Sequence, residues 1–167
     1  MDFRPCYPRP LRLLSDVIDG LLALGGLAIL TLAFGNATLR GLAGFDLAWS
    51  LEVTAFLLLW TTFLGCAGAI ARGAHMRVTE ISTALLSGRA RLALEHAINA
   101  AVALLIGSLI WHGWSIAAHQ WAQKTTVLYW PVGLLYASLP VGMALSLLFH
   151  LFNAWLVLRG TTPEDAA

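Results

Sequence analysis

The sequence predicts an all-α membrane protein with four transmembrane helices and with both the N and C termini in the cytoplasm. Three observations predict this class: an apolar composition, four long stretches without a charged residue, and an unequal distribution of Lys and Arg among the connections. Hydrophobic residues make up 59% of the 167-residue chain and charged residues 11%, and the mean hydropathy is +0.76. A water-soluble domain of this length is far less apolar.

Each stretch without Asp, Glu, Lys or Arg is long enough to cross a bilayer. A helix rises about 1.5 Å per residue, so roughly 20 apolar residues cross a hydrocarbon core of about 30 Å. The stretches are residues 20–39, 53–71, 96–123 and 125–158. With their flanks they predict helices at about 15–39, 48–71, 93–119 and 131–158, in a single membrane domain of residues 1–167.

Local signals mark some of the helix ends. Ser15 and Asp16 are favoured N-cap residues and predict the start of the first helix. Pro131 suits the first turn of the fourth helix. Pro140 lies inside that helix and lacks a backbone donor, so we expect a kink there.

The positive charges indicate how the helices are oriented. Eight of the ten Lys and Arg residues lie in the N-terminal tail, the connection between the second and third spans, and the C-terminal tail. Arg40 and Lys124 lie in the other two connections. Because positive charge is retained on the cytoplasmic side, both termini and the middle connection are predicted to face the cytoplasm. Trp49, Trp121 and Trp130 then fall at the outer membrane interface, which indole rings favour.

The middle connection contains a second kind of pattern. Val78, Ile81 and Leu85 recur at helical spacing, with charged residues around the rest of the turn. This pattern predicts a short amphipathic interfacial helix at about 76–90, on the cytoplasmic membrane face. The alternative is a solvated loop.

Small residues recur every four positions within the spans, as at Ala93, Ala97 and Ala101 in the third helix. Such spacing allows helices to approach closely in a membrane. The alternative is that alanine and glycine are simply frequent in membrane helices.

The middle of each predicted span contains no carboxylate, lysine or arginine. Coupled transporters usually hold ions and substrate at the midplane with such groups or with broken helices. The sequence also lacks a basic patch for nucleic acid, a metal-ligand spacing and a catalytic constellation. We therefore expect neither an enzyme nor a cofactor. The alternative that the histidines leave open is a small membrane haem protein ligated by His96 and His150, whose estimated depths differ by roughly 6 Å.

Three segments carry a family resemblance. Residues 49–67 read WSLEVTAFLLLWTTFLGCA, residues 71–78 read ARGAHMRV, and residues 130–142 read WPVGLLYASLPVG. Their order and spacing resemble the small permease subunit (Q subunit) of tripartite ATP-independent periplasmic (TRAP) transporters. The resemblance rests on the membrane-entry glutamate, the Phe-Leu-Gly segment, the Gly-x-His turn and the Tyr-x-x-x-Pro-x-Gly segment. The connector at 79–91 departs from the family by lacking prolines.

The resemblance implies a non-catalytic subunit of a multi-pass complex in the bacterial inner membrane. In that family a large permease carries the substrate and sodium sites, and a periplasmic binding protein delivers an organic acid. The implied partners are therefore the large permease, the binding protein and membrane lipid, with no nucleic acid. The residues expected at interfaces with partners are Glu52, Arg72, His75, Tyr136, Pro140 and Gly142.

Single-residue expectations differ among these positions. Glu52 lies about one turn into the second span, where it either pairs with a basic group of a partner or extends to the outer interface. Arg72 and His75 close the second helix, where a cation suits the helix C-terminus or anionic lipid. Pro140 and Gly142 are expected to set the shape of the last helix.

Overall fold

The computed structural model describes residues 2–73 and 89–159, and these form a helical bundle. A 3-10 turn at Arg4–Cys6 precedes the five α-helices of the described part. These are α1 (Arg9–Ala43), α2 (Ala48–Ala71), α3 (Arg89–His119), α4 (Val132–Tyr136) and α5 (Ser138–Leu158).

Four segments are long and apolar enough to cross a membrane, which confirms the predicted fold class. They are Arg9–Ala43, Ala48–Ala71, His96–His119 and Val132–Leu158. Most of the predicted interfacial helix at 76–90 lies outside the described residues, and its last two positions belong to α3. The cytoplasmic location of the termini stays a prediction.

The first helix is longer at both ends than the sequence predicts. It begins at Arg9 rather than near Ser15, because Pro8 is extended and a proline occupies the first helical turn, where no donor is needed. It continues past Leu39 to Ala43 and ends where Gly44 adopts the left-handed region at φ 64°, with its N–H bonded to the Leu39 carbonyl. Ser15 is therefore buried within the helix instead of capping it.

The last span is divided into two helices near the position where the sequence predicts a kink. Pro140 has no N–H for the carbonyl of Tyr136, and the regular helix stops at Ala137. Helical bonding resumes with Val141, whose N–H donates to the Ala137 carbonyl at 3.2 Å. The break is local, so α4 and α5 together still form one apolar span of 27 residues.

The helices pack in the order α1, α2, α5, α3, which leaves α1 and α3 at opposite edges of the bundle. Glycines bring the neighbouring helices together at each step. Gly25 of α1 meets the Thr61 side chain of α2, and Gly142 of α5 meets the Phe63 backbone. A Cβ added to Gly113 of α3 would lie 3.0 Å from the side chain of Leu139. The edge positions of α1 and α3 expose one face of each helix to whatever surrounds the bundle.

Candidate functional site

Polar residues gather at the two ends of the bundle. The loop end contains Glu52 and the connection between α3 and α4. The terminal end contains the N-terminal segment, Asp19 of α1, the last turn of α2 and Asn153 of α5. Each end joins segments that are far apart in the sequence.

At the loop end, the Glu52 carboxylate accepts three hydrogen bonds from one short stretch. Its Oε1 accepts from the Thr126 hydroxyl at 2.9 Å and from the Val127 N–H at 2.8 Å. Its Oε2 accepts from the Leu128 N–H at 2.9 Å. Hydrogen bonds to an ionised acceptor are stronger than those between neutral groups. One carboxylate on α2 thus fixes the backbone of a loop about 75 residues further along the chain.

The loop that Glu52 holds is tightly folded. The Thr125 N–H donates to the Trp130 carbonyl at 2.9 Å, and the Trp130 N–H donates to the Thr125 hydroxyl at 3.0 Å. Between them Tyr129 adopts φ 56°, a left-handed conformation that is uncommon for a residue with a side chain. Such a conformation persists where its surroundings fix it. The Glu52 carboxylate supplies part of that restraint by fixing the two preceding amides.

Aromatic side chains of α2 also support this loop. Trp130 packs edge-on against Phe56 of α2, with ring centroids 5.6 Å apart. Trp60 follows one turn later and donates its Nε1–H to the Leu134 carbonyl at 3.3 Å. Tyr129 points outward, with 69% of its surface exposed. The loop is therefore anchored to α2 through Glu52 and an aromatic cluster, while its tip at Tyr129 is exposed.

At the terminal end, Asp19 of α1 joins two arginines from different segments. Its Oδ2 accepts from Arg4 at 3.1 Å, and its Oδ1 accepts from Arg72. Arg4 also pairs with Asp2, and that pair holds the pKa of the Asp2 carboxyl below its usual value. These groups are partly exposed, so the pairs contribute little stability individually but fix the relative positions of the segments.

A buried hydrogen-bond chain lies beneath these charges. The Tyr7 hydroxyl donates to Asn153 Oδ1 at 2.6 Å, and Asn153 Nδ2 donates to the Ile70 carbonyl at 2.9 Å. Tyr7 is 5% exposed and Asn153 7% exposed. Burial raises the pKa of the Tyr7 hydroxyl to about 12, so the group remains a donor at neutral pH. The N-terminal segment is thereby tied to α2 and α5 as well as to α1.

We expect Tyr7→Phe to lower the free energy of unfolding of the detergent-solubilised protein by about 1–3 kcal/mol, because it leaves the buried Asn153 oxygen without its donor. Thermal unfolding followed by circular dichroism measures this change. Tyr129→Phe is the matched control, since that ring is exposed. Equal stability of the two variants would contradict the role given to the Tyr7 hydroxyl.

The structure describes five of the six expected interface residues, and these five do not form one cluster. Arg72 ends α2 in the Asp19 cluster, and Tyr136 is exposed at the end of α4. Pro140 and Gly142 are buried against neighbouring helices of this chain. Within this chain they lie where α5 packs against α2 and α3. His75 lies outside the described residues.

The geometry does not favour the haem alternative. The His150 Nε2 lies 3.1 Å from the Asn99 carbonyl oxygen, so it already donates a hydrogen bond within the bundle. His96 lies on the exposed side of α3. Ligation of iron by His150 through that nitrogen requires this bond to break first.

Sequence reasoning missed Asp19, Tyr7, Asn153 and Thr126 as members of these clusters. An asparagine inside the otherwise apolar last span was a usable signal, because a buried amide needs hydrogen-bond partners. No sequence signal connected Thr126 to Glu52.

Four apolar spans that pack in a row, with a connecting loop held by Glu52, define a multi-pass membrane protein. The family model described as "Tripartite ATP-independent periplasmic transporters, DctQ component" matches residues 29–160. The chain belongs to this family, the small permease subunits of TRAP transporters, and is a multi-pass protein of the bacterial inner membrane.

Named relatives agree with this assignment. The chain is 30% identical to the sialic acid TRAP transporter small permease protein of Vibrio cholerae, over 90% of this chain and 87% of the relative. It is 26% identical to the C4-dicarboxylate TRAP transporter small permease protein of the same species, over 82% and 68%. It is 28% identical to the ectoine TRAP transporter small permease protein of Halomonas elongata, over 92% and 78%. Small permease subunits of this family work with a large permease and a periplasmic binding protein, which is not an enzymatic role.

Proposed function

We propose that this chain is the scaffold subunit of a sodium-driven importer of an organic acid. It packs against a large permease subunit that carries the substrate and sodium sites, and a periplasmic binding protein delivers the acid. The observation that carries the proposal is the match to the small-subunit family over residues 29–160. The relatives serve transporters of three different solutes, which fits a subunit that does not itself select the solute.

The chemistry of the bundle supports a non-catalytic role. The charged groups that make ion pairs in the described residues are Asp2, Arg4, Asp19 and Arg72, all at the terminal end. The mid-span contacts of the three packed helix pairs involve Gly25, Thr61, Phe63, Gly113 and Gly142. Such contacts stabilise helix packing but offer no charge to a solute. This supports a scaffold role in which another chain supplies the groups that bind the solute.

Reconstitution tests the proposal directly. The purified chain alone in liposomes is expected to give no solute-dependent uptake under an inward sodium gradient. Liposomes with this chain, the large permease and the binding protein are expected to accumulate the solute, and the large permease is expected to co-purify with this chain. The matched control contains the large permease and the binding protein without this chain. Uptake by the isolated chain, or full uptake in that control, would refute the proposal.

A further inference from the structure

The exposed face of α3 contains polar side chains at membrane depth. Over His96–His119 this face includes Ser108, Trp111, His112 and Ser115, all exposed. The centre of this span lies near Ser108, and at about 1.5 Å per residue His112 lies about 7 Å from the centre. Since half the hydrocarbon core is about 15 Å, His112 lies well inside it.

Within residues 2–73 and 89–159, no hydrogen bond reaches the His112 ring or the Trp111 indole nitrogen. His119, two turns further on, turns its Nδ1 to the Ser115 carbonyl at 2.7 Å. Even if His112 turned back in the same way, its second ring nitrogen on the far side of the imidazole would still point outward. The Trp111 indole, with 76% of the residue exposed, likewise projects from the helix. Lipid tails offer these groups no hydrogen-bond partner.

The exposed face of α1, at the opposite edge, has a different composition. Its most exposed side chains at mid-span are apolar, including Leu24, Leu27, Leu30 and Phe34. The hydroxyl of Thr31 on this helix donates to its own helix, to the Leu27 carbonyl at 2.8 Å. At mid-span the Thr31 donor of this face is therefore satisfied within its own helix, and the apolar side chains around it are suited to lipid.

We propose that the α3 face formed by Leu104, Ser108, Trp111, His112 and Ser115 docks against a membrane-spanning helix of the large permease subunit, and that the α1 face contacts lipid. The proposal rests on the proposed function, which supplies the partner. The partner helix offers a hydrogen-bond acceptor or donor opposite His112 at mid-depth, because hydrogen bonds between spans satisfy polar groups that lipid cannot. Ala97 and Ala101, on the same exposed side of α3, allow the partner to approach closely.

Site-specific photocrosslinking in membranes that contain the complete transporter tests the assignment. The photoreactive amino acid p-benzoylphenylalanine replaces Leu104 or Trp111 on α3, and Leu27 or Phe34 on α1 as matched controls. The α3 positions are expected to give an adduct between this 18.0 kDa chain and the large permease. The α1 positions are expected to give at least about tenfold less protein adduct. Adducts with the large permease from α1 alone, or an α3 adduct between two copies of this chain, would overturn the assignment.

A double variant, Ser108→Ala with His112→Leu, tests the hydrogen bonding separately. It is expected to lower the amount of large permease that co-purifies with the chain in detergent by about tenfold, while the helical circular dichroism of the isolated chain stays unchanged. Thr31→Val on α1 is the control and is expected to leave co-purification unchanged. Unchanged co-purification of the double variant would overturn the role of these groups. If the large permease fails to accompany even the wild-type chain, the proposed function itself fails; if it accompanies the chain but crosslinks elsewhere, only the α3 assignment fails.

Discussion

Replacing Glu52 with alanine is expected to reduce uptake by the complete transporter much more than it reduces membrane insertion of the chain. The three groups that donate hydrogen bonds to its carboxylate all lie in residues 126–128. All three lose their acceptor when the carboxylate is removed. The loop then loses the restraint next to Tyr129, whose left-handed backbone is otherwise unfavourable. The α2 helix keeps its apolar span, so insertion continues.

Hydrogen exchange separates this explanation from a direct contact between Glu52 and a partner. In the isolated chain, the Val127 and Leu128 amides of Glu52→Ala are expected to exchange about tenfold faster than in the wild type, as the loss of one or two hydrogen bonds implies. Glu52→Gln is expected to behave similarly, because the glutamine NH2 group replaces one of the two accepting oxygens and cannot accept a hydrogen bond from the loop. Asp46→Asn, an exposed acid in the neighbouring connection, is the matched control.

Three outcomes distinguish the possibilities for Glu52. Faster exchange together with lost uptake supports the role of Glu52 as a positioning residue for the loop. Unchanged exchange with lost uptake would show instead that the carboxylate acts on a partner chain. Unchanged uptake would show that the loop does not need Glu52 for transport.

Gly142→Ala is expected to lower the free energy of unfolding by about 1–3 kcal/mol, and Gly142→Val by more, because the two helices pack too closely for a side chain. A Cβ at this position would lie 2.6 Å from the Phe63 Cβ and 2.7 Å from the Phe63 carbonyl oxygen. The backbone of α2 cannot rotate away as a side-chain end can, so α2 and α5 must separate. This pair lies in the middle of the row of helices, so the separation also affects the position of α3.

The control for Gly142 is Gly26→Ala in α1, where an added Cβ meets nothing within 4 Å. That change is expected to be neutral or to stabilise by up to about 1 kcal/mol, because alanine favours helix more than glycine does. Thermal unfolding in detergent and retention of the large permease during purification measure both effects. A Gly142→Ala protein as stable as Gly26→Ala would contradict the close approach of α2 and α5.

The polar clusters were only partly predictable. Glu52 stood out because a carboxylate at the entry to an apolar span needs a reason, but the sequence suggested a partner chain or the interface as its destination. In the structure its carboxylate accepts hydrogen bonds from the loop before α4, which the sequence did not indicate. Gly142 was expected to set helix shape, and the structure identifies Phe63 as the neighbour that requires a glycine. Contacts of this kind within the chain depend on which helices become neighbours. No local stretch of a single sequence contains that information.

The sequence by itself determined the four spans, because the free energy of placing a segment in hydrocarbon is nearly a sum over its own residues. It also placed a break near Pro140, because a missing N–H acts on the adjacent turn. Only the tertiary structure decided the order α1, α2, α5, α3 and the pairing of Tyr7 with Asn153, which are 146 residues apart. Those contacts depend on the shapes of whole helix surfaces, and lipid, which is as apolar as the helices, does not select among the alternatives.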